Sequence, residues 1–201
     1  MNAVLNSISY IFHPLFMPLL GTVFYFTKSP RFIPEGIFEA KLFALGLLTV
    51  LLPVLLFFLL KTLKKIESEH LKSTKERILP LIIYCVIITL IIYRVFPSNE
   101  FIEMYYFFVG VLGSTLACLI LALLNYKASI HMIGVSGFFF FIIALSIHFN
   151  KNFTGSIALM SIICGAVATS RLHQRAHTIT ELFIGTFLGI IPQLILVNYW
   201  L

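Results

Sequence analysis

The chain has 201 residues, of which 60% are hydrophobic and 11% charged, and its mean hydropathy is +1.02. A soluble domain carries roughly 25% charged residues, so a fold surrounded by water is excluded and a polytopic membrane protein is expected. The net charge of +6 then belongs to membrane topology and lipid headgroups. Nucleic acid is not an expected partner, because no basic, aromatic-interleaved module is present.

A helix needs about 20 residues to cross the hydrocarbon core. Seven segments approach that length, so the expected fold is all-α: one integral membrane domain over residues 1–201, a bundle of six to seven spans. The first segment, Val4 to Phe26, lacks a charged leader and a small-residue cleavage site, and reads as a span rather than a signal peptide. His13-Pro14 and Pro18 interrupt it, and His13 reads as a kink whose imidazole is satisfied by a nearby carbonyl or, because a polar group in hydrocarbon is costly, as a functional residue. The second segment, Lys41 to Leu60, carries Pro53. The others run Ile78 to Phe96, Ile102 to Leu123, Ile130 to Phe149, Thr154 to Thr169 and Thr180 to Leu201. Cys85, Cys118 and Cys164 each fall within an apolar run, where reduced, buried thiols are expected.

The connections are short except Lys61 to Arg77. That stretch holds Lys61, Lys64, Lys65, Lys72, Lys75 and Arg77, most of them expected to anchor a solvated loop to headgroups. With seven spans, the loops after the second, fourth and sixth emerge on one side. They carry Lys72 and Arg77, then Lys127 to His131, then Ser170 to Glu181. Polar groups from three distant parts of the chain therefore converge.

The densest of these stretches is SRLHQRAHTITELFIGTFLG, Ser170 to Gly189. If it is helical, His173, His177 and Glu181 lie one turn apart on one face, and Gly185 and Gly189 continue that face and admit a close neighbour. Cations around histidines and a carboxylate suit an oxygen-rich anion such as phosphate, since arginine forks match phosphate oxygens. A histidine held by a carboxylate can act as a nucleophile, and a second can protonate a leaving alkoxide. Histidines four residues apart could instead share a metal ion, but the surrounding positive charge opposes this. Metal-assisted lipid transfer would also call for paired aspartates, and the chain contains none. A haem site and purely structural histidines are the remaining readings.

At these residues the chain resembles the type 2 phosphatidic acid phosphatase (PAP2) superfamily of integral membrane phosphatases. The family's third motif, SRxxxxxHxxxD, is matched in spacing by Ser170, Arg171, His177 and Glu181, with Glu in place of Asp. Its second motif, PSGH, retains Ser129 and His131 from Ala128-Ser129-Ile130-His131. Its first, KxxxxxxRP, retains Lys72 and Pro80, with Leu79 at the arginine position and Arg77 two residues earlier. The resemblance covers about 72–189 and departs from the well-known six-span members, which carry the first two motifs in one loop.

The resemblance implies a PAP2-like core and a metal-independent hydrolase without cofactors, located in the bacterial inner membrane. Its substrate would be a lipid phosphate or isoprenoid diphosphate, cleaved through a phosphohistidine. His177 would be the nucleophile, Glu181 its orienting partner and His131 the general acid and base. Lys72, Arg77, Ser129, Ser170 and Arg171 would bind the phosphate. A lipid phosphotransferase, or a lipid-phosphate binding or transport protein with weakened catalysis, would use the same residues.

Overall fold

The structure is a computed structural model that describes residues 2–64 and 73–201. Among the described residues it is all-helical, and seven helical stretches are long and apolar enough to cross a membrane. The outward faces confirm the solvent they are built for. Phe43, Phe58, Val86, Ile162 and Phe183 are among the large apolar side chains left exposed, a surface that would aggregate in water but is matched by lipid.

The first span is broken. Helix α1 (Asn2–Ile11) ends before His13-Pro14, a 3-10 turn follows at Pro14–Phe16, and α2 (Met17–Lys28) completes the crossing. Proline disfavours helical backbone in the residue before it, and His13 accordingly adopts φ −66°, ψ 138°. The second span comprises α3 (Glu35–Leu45), a π-helical turn at Gly46–Leu51 and α4 (Leu52–Thr62). Pro53 has no N–H and its ring crowds the preceding turn. The wide turn, closed by Leu52 N–H donating to Leu47 O, makes room for it.

Helices α5 (Thr74–Arg94) and α6 (Ile102–Leu123) pack as a hairpin, followed by α7 (Ile130–His148), α8 (Thr154–His173) and α9 (Ile179–Val197). Helix α7 is the most buried span and sits at the centre of the bundle. Its contact with α9 is close because of glycine. A Cβ at Gly189 would run into Ser136 Oγ and the Ile133 carbonyl, and one at Gly185 would lie 2.7 Å from Ser129 O. The seam is a small-xxx-small crossing of the kind membrane helices use when no hydrophobic force drives them together. It places the N-termini of α7 and α9 side by side, with Ser129 N–H donating to Glu181 O at 3.2 Å.

At the opposite end, the fully buried carboxylate of Glu103 accepts from Arg31 Nη2 at 2.6 Å and Tyr25 Oη at 3.0 Å, and pairs with His148 Nε2 at 3.1 Å. These groups tie the loop after α2 and the adjoining ends of α2, α6 and α7 into one network. A charge so deep is tolerated because it is paired with a guanidinium and accepts a further hydrogen bond from Tyr25. All three cysteines are unbridged thiols; only Cys118 is fully buried, while Cys85 and Cys164 are half-exposed between helices.

Candidate active site

Of the residues expected from the sequence, Arg77, His131, Arg171 and His177 meet at the end of the bundle remote from Glu103. A cavity of about 1070 Å³ opens there, and its polar end is lined by Arg77, Lys127, His131, Arg171, Arg175 and His177. Among the described residues, no Asp or Glu lines it. From this cationic end the cavity continues down an apolar arm between α4 and α5, past Val54, Phe57, Phe58, Ile83, Tyr84 and Ile87. Val54 and Phe58 are also exposed on the outer surface, so the arm opens sideways towards lipid.

His177 and Glu181 meet by a route other than a continuous helix. Helix α8 ends at His173, and Arg175 takes a left-handed φ of 51° that turns the chain. Helix α9 then starts at Ile179 behind its N-cap Thr178. His177 is the residue before the cap and Glu181 the third helical residue. In this capping box, Glu181 N–H donates to Thr178 Oγ1 and Thr178 N–H donates to Glu181 Oε2. The same Oε2 lies 2.7 Å from His177 Nδ1.

Nδ1 is therefore the protonated nitrogen and Nε2 the one with a free lone pair. His177 is only 8% exposed. Burial holds its imidazole below the ordinary 6.5, opposed by the Glu181 hydrogen bond and reinforced by Lys127 and Arg77. A neutral, oriented, nucleophilic imidazole is the result.

The same break separates His173 from that pair. His173 ends α8, is exposed and does not line the cavity, so the expected shared face of His173, His177 and Glu181 does not form. Among the described residues, no three His, Cys, Asp or Glu side chains are grouped to hold a metal ion.

Arg77 and Arg171 are 4% and 6% exposed. Arg77 Nη1 donates to Ala128 O at 2.8 Å, and Arg171 Nη1 to Gln174 Oε1 at 2.8 Å. Arg171 Nε is buried without a partner among the described residues, an unmet donor on a cavity-lining cation and a strong pull for an anion. Lys127 Nζ donates to Ala176 O at 2.8 Å. Burial lowers its ammonium pKa, as do Arg77 and Arg171, against the pull of Glu181.

His131, one residue into α7, is held by the N-terminal helix: its Nε2 lies 3.2 Å from Ser9 O. A carbonyl only accepts, so Nε2 carries a hydrogen and Nδ1 is the remaining nitrogen. The serines of the expected set lie elsewhere. Ser129 is fully buried as the N-cap of α7, accepting from Met132 N–H. Ser170 is equally buried, 2.6 Å from Ser9 Oγ and donating to Leu5 O, where it fastens α1 to α8. Neither lines the cavity. Lys72 lies outside the described residues.

Leu79, at the position of the family arginine, is exposed on the outer face of α5. Two residues turn a helix by roughly 200°, which is why Arg77 points inward where residue 79 does not. Lys127 and Arg175, which the sequence placed among the converging polar groups without assigning them a role, line the cavity, and so does His13, for which a satisfied kink and a functional role were both open. For His13 the available signal was a histidine at a helix break inside an apolar segment, where an unwound span exposes polar groups.

No family model, curated protein or solved structure matches this chain.

Proposed function

We propose that this chain is a metal-independent membrane phosphatase, acting on a lipid phosphate or diphosphate in the bacterial inner membrane through a phosphohistidine. The observation that carries the reading is His177, buried in a cavity that Arg77 and Arg171 also line, with Nδ1 bound to Glu181 and Nε2 without a partner among the described residues. This is the geometry of an activated imidazole nucleophile facing an anion site. The PAP2-like motif spacing points the same way. The apolar arm leading from the cationic end to the lipid favours a substrate with a phosphate head and an acyl or isoprenoid tail.

In this mechanism Arg77, Arg171 and Lys127 neutralise the phosphoryl oxygens. His177 Nε2 attacks phosphorus, forming the P–N bond as the P–O bond to the lipid alcohol breaks. His131, which enters this step as the imidazolium after taking a proton from solvent on Nδ1, gives that proton to the departing oxygen, with the Ser9 carbonyl holding its Nε2–H. Water then attacks the phosphohistidine, passes its proton to His131 and releases inorganic phosphate as the P–N bond breaks. Glu181 stabilises the imidazolium character that His177 gains while it is phosphorylated.

The test is phosphate release by purified protein in detergent with EDTA, across phosphatidic acid, phosphatidylglycerophosphate and an isoprenoid diphosphate. Wild type should release phosphate from at least one, and His177→Ala from none while remaining folded. Turnover retained in His177→Ala would sink the mechanism. Binding without release would make the protein a lipid-phosphate binder, and loss of release with EDTA would point to a metal-dependent transferase.

A further inference from the structure

The broken first span contributes more than a wall to the cavity. His13 lines it, with its ring 5.3 Å from that of His131 and nearly perpendicular to it. The chain dictates how the imidazole is held. Pro14 forces His13 into extended backbone, which makes it the N-cap of the 3-10 turn, and its Nδ1 accepts from Leu15 N–H at 3.3 Å. A nitrogen that accepts a backbone N–H carries no proton of its own. The ring is thus neutral and its proton resides on Nε2. Among the described residues, His13 Nε2–H has no acceptor, and no carboxylate lines the cavity it borders.

We propose that His13 is a further substrate-contacting residue of the site proposed above: a neutral donor whose Nε2–H hydrogen-bonds a phosphate oxygen on the His131 side. Its role differs from that of the other two histidines. His177 offers a lone pair and His131 exchanges a proton, whereas His13 is locked by its own backbone into the tautomer that can only donate towards the cavity. The donor is aligned before substrate arrives, which is when an electrostatic contribution costs least reorganisation.

The cap itself supplies the test. His13→Asn keeps a side-chain acceptor at the N-cap, where Asn is among the best residues, but is too short to replace Nε2–H. Purified wild type and His13→Asn are titrated with inorganic phosphate and orthovanadate in detergent, their melting temperatures are compared, and release from phosphatidic acid is followed in parallel. The expected result is an unchanged melting temperature with anion affinity weakened about ten- to a hundredfold, the range for a hydrogen bond to a charged group. The release defect should persist for p-nitrophenyl phosphate, because the lost contact is to a phosphate oxygen and not to the leaving oxygen.

Equal anion affinity in wild type and His13→Asn overturns the inference and leaves the phosphatase reading standing. Wild type that binds these anions without releasing phosphate overturns the phosphatase reading alone, and the affinity comparison still decides the role of His13. Wild type that neither binds nor releases overturns both. If His13→Asn melts early, His13→Gln, which carries an amide donor at the reach of Nε2 but is a poor cap, separates the roles. Affinity restored in His13→Gln supports the donor, and affinity lost equally in both variants overturns it.

Discussion

Glu181 explains a substitution that looks like a defect in the sequence. Where the resembling family has Asp, this chain has Glu, and the structure gives that carboxylate two partners: the Thr178 backbone N–H and His177 Nδ1. The third helical position of a capping box favours Glu because its length lets it reach back over the first turn. The longer side chain is matched to a histidine that sits outside the helix. A pH prediction follows from the same contact. His177 must be neutral to attack, and its pKa is lowered by burial, so kcat/KM should keep its plateau below pH 6.5 before falling. Glu181 opposes that lowering, so Glu181→Gln should move the acidic limb to still lower pH while reducing kcat. The substrate's own ionisation is common to both proteins and cancels in the comparison. A limb unmoved or shifted upward would show that Glu181 does not govern this imidazole. At this scale the sequence was legible where spacing is local, as between His177 and Glu181. It was misleading for Ser129 and Ser170, because a serine near a site serves equally as a cap or a fastening and only burial tells which.

Elements, more than single residues, bring the site together. His131 opens α7, Glu181 lies in the first turn of α9, and their alignment rests on the glycine seam between those helices. Gly189→Val would drive a branched side chain into the Ile133 carbonyl and Gly137 N, backbone atoms that cannot yield without separating the helices. Overpacking of this kind costs about 1–3 kcal/mol, and here it would also draw Glu181 away from α7. The expected outcome is a lower melting temperature in detergent together with loss of phosphate release. Gly165→Ala is the control, since a Cβ there meets nothing within 4 Å; it should leave melting unchanged or raise it slightly. The apolar runs and the two glycines made both helices and their seam readable in the sequence. The end of α8 at His173 was not, because Leu172 to Thr178 contains no Gly or Pro and the turn is made by Arg175 in a left-handed conformation. For the same reason the shared histidine face was expected and did not form.

Across the whole molecule, polar chemistry is divided between two ends joined by an apolar middle. Even numbers of spans separate the three site-bearing loops, and that parity alone let the sequence place Arg77, His131 and His177 on one side. The Glu103 network was not legible, because Arg31 lies in the loop after α2, Glu103 in the first turn of α6 and His148 at the end of α7, and nothing local links them. Its role can be tested separately from the site. His131 and His148 are 17 residues apart on α7, about 25 Å at the helical rise, beyond the range at which mutational effects usually couple. Arg31→Ala removes the cationic partner of a fully buried carboxylate and leaves it to Tyr25 and His148. The loss should be about 2–3 kcal/mol, moderated because Arg31 itself is partly solvated. Melting temperature should fall while kcat/KM at 25 °C, measured by phosphate release, stays near wild type. Combined with His177→Ala, the two stability changes should add. A drop in kcat/KM without unfolding, or stability changes that fail to add, would mean that the ends communicate through α7. The Glu103 cluster would then be part of the working site rather than an anchor holding the far end of the bundle closed.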